Sequence, residues 1–198
     1  MSHRRPIRAS LRMNRVIVKH GKGDLRMSYG KYRSQSRRLK NWDYSTPGGY
    51  FVTICTHLGK PYFGTVENGE IHLSPIGEIL VEEWVKTSSL RESVELDEYV
   101  VMPNHLHGII ILKQVVETPR RGVLTPVDVN PDTLGTIIGQ FKSACTRRIR
   151  ADYTRDFAWQ ARFYDHVIRD DVDLQRIREY IRVNPVKWEM DKYYCKEK

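Results

Sequence analysis

Cysteine is scarce in this sequence, and long apolar runs are missing from it. Cys55, Cys145 and Cys195 are an odd number at wide spacings with no CxxC pair, which argues against a disulfide framework and against a zinc site. A reducing, cytoplasmic compartment is the expectation. No segment reaches the roughly 18 apolar residues needed to cross a bilayer. The opening residues are charged and polar where a secretory signal would carry its apolar segment. The expected protein is therefore soluble, unsecreted and without a membrane partner. Acids are also nearly absent from the first 40 positions, which hold 13 Lys or Arg against the single acid Asp24.

That local surplus of +12 exceeds the +9 of the whole chain, so the rest carries a net −3. Concentrated basic charge points to a polyanionic partner. Residues 1–36 combine it with few large apolar side chains and with Gly and Ser between the charges. Such a composition buries too little surface to fold alone, so a basic, disordered arm is expected. Met13 and Met27 leave a shorter start open. Residues 37–190 then form one domain of a size that can bury a core, and residues 191–198 a short tail.

Within the domain, Tyr50 to His57 is aromatic and β-branched behind the Pro47-Gly48-Gly49 breaker and reads as a strand. Tyr62–Val66 and Glu70–Leu73 flank Glu67-Asn68-Gly69, a hairpin turn signal. Ser74-Pro75 predicts an N-cap and first helical position, with Ile76, Ile79, Leu80 and Trp84 lining a helix to about Leu90. Glu95–Met102 and His105–Leu112 are β-rich runs joined by Pro103-Asn104, hence an antiparallel hairpin. Lys113 to Pro131 loses periodicity and reads as a long loop.

Asp132 or Thr133 can cap a second helix that buries Leu134, Ile137, Ile138, Phe141 and Cys145. Phe163–Arg169 predicts a last strand, and Asp170-Asp171 open a third helix carrying Leu174, Ile177 and Ile181. Pro185 should end that helix at Asn184. The fold class implied is α+β: a ferredoxin-like βαββαβ sandwich with a mostly antiparallel sheet, an inserted hairpin and an added C-terminal helix.

Chemistry concentrates in His105-Leu106-His107. The two-residue strand period points both imidazoles at one face, where they can share a divalent cation and leave positions open for a substrate oxygen. On the third helix, Tyr180 and Asn184 are four residues apart, about 40 degrees around the axis, and share a face.

Four blocks occur in order: Tyr50-Phe51-Val52-Thr53; the segment from Met102 to Ile110; Trp159-Gln160 with Phe163-Tyr164-Asp165-His166; and Tyr180-Ile181 with Asn184-Pro185-Val186-Lys187. Together, from about Arg37 to Met190, they resemble the REP-associated tyrosine transposases of the HUH superfamily. The resemblance implies a ferredoxin-like catalytic domain that acts on single-stranded DNA hairpins. It implies that His105 and His107 hold the metal and that Tyr180 is the nucleophile, forming a 5′-phosphotyrosine and releasing a 3′-hydroxyl. Asn184 follows as a third oxygen ligand, a shorter amide than the glutamine of the wider transposase class.

Mg2+ or Mn2+ suits turnover better than zinc, although two imidazoles also attract zinc. Lys142, Arg147, Arg148, Arg162 and Arg169 are candidate phosphate contacts, and Trp159 and Tyr164 candidate base-stacking platforms. His166 is a secondary candidate, with a hydrogen-bonded sheet histidine as the alternative. The competing function is a non-catalytic module that binds structured single-stranded DNA or RNA, and both monomer and homodimer are open. Deleting residues 1–36 should weaken DNA binding and flatten its salt dependence, as read by anisotropy titrations at several salt concentrations, while circular dichroism shows an intact fold. An unfolded truncation would place the arm in the core.

Overall fold

In the computed structural model, residues 42–114 and 133–194 are described. The basic arm, most of the loop expected after Lys113, and Cys195 lie outside the described residues. Among the described residues, no helix is long and apolar enough to cross a membrane.

Four strands form an antiparallel sheet: β1 (Gly48–Cys55), β4 (Val94–Met102), β5 (His105–Leu112) and β6 (Tyr164–Ile168), in the order β4-β5-β1-β6. Strands β2 (Gly64–Glu67) and β3 (Glu70–Leu73) make the separate hairpin between β1 and helix α1 (Pro75–Ser89). Its two-residue turn places Asn68 and Gly69 at φ of 53° and 79°, the left-handed pair that the twist of a tight hairpin requires. Helix α2 (Leu134–Asp152) connects β5 to β6, and α3 (Asp171–Val183) follows β6. Among the described residues the chain is therefore α+β with a mostly antiparallel sheet and three α-helices, in the expected order.

Each helix begins where a side chain satisfies its free amide groups. Ser74 Oγ accepts from the Gly77 amide at 3.1 Å, Thr133 Oγ1 from Thr136 at 3.2 Å, and Asp170 Oδ1 from Asp173 at 2.8 Å. The expected stop at Pro185 is softer than the sequence implies. Helix α3 ends at Val183, yet Asn184 keeps helical angles of −57° and −44°. The Lys187 amide donates to both Val183 and Asn184 carbonyls, so the chain makes one further turn that runs through Pro185 itself.

Strand alternation sorts the sheet into two faces. Tyr50, Val52, Ile54, Leu106 and Ile110 join the buried faces of α1 and α2 in the larger core, with Leu80, Trp84, Ile137, Ile138 and Phe141. Phe51 and Ile109 point the other way, against Ile177 and Ile181 of α3. Gly108 belongs to the first face. A Cβ there would lie 2.4 Å from Cζ2 of Trp84, whose indole is fully buried. Gly108→Ala should therefore overpack a rigid ring and destabilise the fold by about 1–3 kcal/mol. Urea denaturation checks this, and an unchanged midpoint would show that the core yields without cost.

Candidate active site

The face of β5 that meets α3 carries His105 and His107, both fully buried. Their Nε2 atoms lie 3.0 Å apart. Two ligands about 2.1 Å from one cation and at right angles to each other are separated by about 3.0 Å, so the pair has the spacing of two cis metal ligands.

The other ring nitrogens are held in place. Nδ1 of His105 is 2.8 Å from Oδ1 of Asn104. The Asn104 Nδ2 donates to the carbonyls of Gly59 and Tyr193, at 3.1 and 2.8 Å, which fixes the amide orientation. An amide oxygen only accepts, so His105 carries its proton on Nδ1 and presents a bare lone pair on Nε2. Nδ1 of His107 is 2.8 Å from Oγ1 of Thr53, its directly paired neighbour on β1. Burial lowers the pKa of His105 to about 3, with the charge of Lys192 adding to the effect. Burial, His105 and Lys192 push His107 well below its ordinary value as well. Both rings are neutral at physiological pH, the form that binds metals.

Helix α3 sets Tyr180 beside this pair, with its hydroxyl 3.2 Å from Nε2 of His107. The phenol ring packs edge-on against Phe51 and His107 and remains 37% exposed, so the nucleophile candidate sits between solvent and the buried imidazoles. Burial, followed by the nearby Asp191 carboxylate, raises its pKa and keeps the phenol protonated. The rotation of α3 that produces this placement is set by β4. A register irregularity between Leu96 and Tyr99 accompanies Asp97 and Glu98. Asp97 forms a two-pronged pair with Arg178 at 2.5 Å, and Glu98 pairs with Arg182 at 2.6 Å.

One turn beyond Tyr180, Asn184 is buried. Its Nδ2 donates to Oδ2 of Asp191 at 2.9 Å, and its Oδ1 has no hydrogen-bond partner. A buried lone pair without a donor suits a cation. Asp191, His105 and His107 each offer one ligand atom, all within 4.8 Å of one another. The residues present thus fit a divalent ion.

The remaining sequence candidates are scattered. Tyr164 and His166 share the α3 face; Tyr164 meets the edge of Phe51, and His166 Nε2 is 2.7 Å from Asp173 Oδ2. Lys142 and Trp159 sit together beside the C-terminal end of β1, against the larger core rather than on the histidine face; there Lys142 Nζ donates to the carbonyls of Gln160 and Arg162 and the indole donates to the Lys142 carbonyl. Arg147 lines a shallow surface depression beside them, with Thr146 and Arg150. Arg148 is engaged by Glu82 and Glu83 of α1, and Arg162 and Arg169 are exposed.

No family model matches the chain. An uncharacterized protein of Haemophilus influenzae is 35% identical over 171 residues, which cover 83% of this chain and 95% of that protein. A second H. influenzae protein, whose name assigns it provisionally to the REP-associated tyrosine transposases, is 32% identical over 97 residues, covering 44% of this chain and 47% of its own length. Among solved structures, a REP-associated tyrosine transposase bound to a REP hairpin shares the fold, with a TM-score of 0.51 at 22% identity over 83% of this chain and 77% of that one. The chain is therefore similar to REP-associated tyrosine transposases, in sequence over part of its length and in fold.

The fold brings together the two histidines, the tyrosine and the amide that the sequence singled out, and adds the groups that orient them. Asn104 and Thr53 stand in the resembling blocks without a role of their own, although alternation from Phe51 places Thr53 on the site face. Asp191 carries no local signal, because it lies beyond the matched blocks. Thr53→Val keeps the side-chain shape and removes the oxygen that orients His107. It should weaken Mn2+ binding by about 10-fold to 100-fold in calorimetric titrations. Unchanged affinity would mean that packing alone fixes the ring.

Proposed function

We propose that this protein is a metal-dependent, single-stranded DNA nicking and rejoining enzyme that acts on hairpin DNA through a phosphotyrosine at Tyr180. The observation that carries the reading is the Tyr180 hydroxyl, 3.2 Å from one of two buried, neutral imidazoles whose facing nitrogens have metal-ligand spacing. The partial sequence likeness to a REP-associated tyrosine transposase supports it. The solved relative of the same fold was captured on a REP hairpin, which makes structured single strands the substrate class to test.

His105 and His107 would hold the cation through Nε2, with Asn184 Oδ1 as an oxygen donor. Mg2+ or Mn2+ bound there would draw charge from a nonbridging phosphate oxygen as negative charge builds in the transition state. The protein's own groups do the rest. Phe51 and His107 fix the phenol ring, so its oxygen meets the scissile phosphorus without a search over rotamers. Attack forms the bond between Tyr180 oxygen and phosphorus as the phenol gives up its proton, and breaks the bond to the 3′ oxygen, which takes up one proton in return and leaves as a hydroxyl. A 3′-hydroxyl attacking in the reverse sense restores a phosphodiester and frees the phenol, which is strand transfer.

His105→Ala or His107→Ala should abolish cleavage while sparing most DNA affinity, which comes from phosphate contacts elsewhere. Tyr180→Phe keeps the ring and removes the hydroxyl, so it should fold and bind labelled hairpin oligonucleotides yet form no covalent adduct in denaturing electrophoresis. An adduct in the wild type, located on the Tyr180 peptide by mass spectrometry, is the expected result. Cleavage that persists in Tyr180→Phe would assign the attack to water. Hairpin binding by a wild type that never cleaves would leave a binding module.

A further inference from the structure

We infer that Asp191 is the anionic ligand of the metal site, supplied by the segment that follows α3. This deepens the reading above and rests on its assignment of His105 and His107 as metal-holding residues. Two neutral imidazoles and a neutral carboxamide present three donors and no negative charge to a hard dication that prefers anionic oxygen. The ammonium of Lys192 lies close by, 4.7 Å from the ring centre of Tyr193 and 5.4 Å from that of Tyr164, and opposes a second cation. The carboxylate of Asp191 offsets both.

Geometry carries the assignment further. The ligand atoms of Asp191, His105 and His107 lie within 4.8 Å of one another. Ligands on opposite sides of one cation sit about 4.2–4.4 Å apart, so the carboxylate has to draw in by only a few tenths of an ångström.

The surroundings hold it for that purpose. Oδ2 accepts from Asn184 Nδ2 at 2.9 Å, and Oδ1 accepts from the Tyr193 amide at 2.7 Å. Tyr193 is in turn tied to Asn104, which bonds to His105, and its ring lies 4.6 Å from the His105 ring. The metal-binding imidazole and the carboxylate therefore share one hydrogen-bonded frame. Asn184 acquires a second duty in it, as the positioning residue that aims Asp191.

Calorimetric titration of Mn2+ into the full-length protein tests the inference without reference to cleavage. Asp191→Asn and Asp191→Ala should each raise the Mn2+ Kd at least 10-fold, Asn184→Ala should raise it less, and His105→Ala should abolish binding. Melting curves taken without metal show whether each variant is folded. Asp191→Asn also keeps a carbonyl oxygen, and therefore isolates the charge. A folded Asp191→Asn variant with wild-type affinity, while His105→Ala binds nothing, overturns the role of Asp191 and leaves the histidine site standing. A larger loss in Asn184→Ala than in Asp191→Asn overturns the division of roles. A folded wild type with no saturable Mn2+ binding removes the metal site itself and this inference with it.

Discussion

The side chain of Asn104 uses both ends of one buried carboxamide. Its oxygen takes the Nδ1 proton of His105, and its nitrogen reaches the carbonyls of Gly59 and Tyr193. Its backbone carbonyl accepts from the amide and hydroxyl of Thr56. Three segments that are distant in sequence are thereby gathered around one imidazole: the turn that follows β1, the start of β5 and the chain beyond α3. Buried polar groups tolerate few arrangements, because any donor or acceptor left without a partner costs about 1–3 kcal/mol. The tautomer of His105, and with it the direction of its lone pair, follows from that restriction.

A second restriction acts on α3. Its apolar stripe, Ile177 and Ile181, rests on Phe51 and Ile109 in a cluster much smaller than the core on the opposite face. So small a contact permits the helix to roll. The pairs of Asp97 with Arg178 and Glu98 with Arg182 oppose rolling, since both acids come from the irregular stretch of β4. Partly exposed ion pairs contribute roughly 0.2–1 kcal/mol each. Their value here is directional: a roll of one residue, about 100 degrees, would carry Tyr180 off the histidines.

Much of this was legible from local chemistry. Ser74, Thr133 and Asp170 announce the helix starts, Asn68-Gly69 announces a hairpin, and His105-Leu106-His107 declares a shared face as soon as the segment is read as a strand. Features that depend on distant partners were not legible. A lysine or arginine in a sequence is a charge with no address. Lys142 was a candidate phosphate contact, and the fold occupies it with two backbone carbonyls; Arg148 was another, and two glutamates of α1 surround it. Asp191 is hidden for the same reason, being brought to the histidines only by the turn that Asn184 and Pro185 make after α3.

Strand β5 lies inside the sheet with both faces covered, and it gives one set of alternating positions to the site and the other to the core. This sets a rule for how such a gene can change. A substitution at His105 or His107 can silence the site and leave the fold, because the core positions are untouched. Loss or gain of a single codon between Asn104 and Gly108 exchanges the two faces, sending imidazoles toward Trp84 and leucine toward α3. Lineages in which the chemistry decays should therefore keep the length of this strand long after they have lost its histidines.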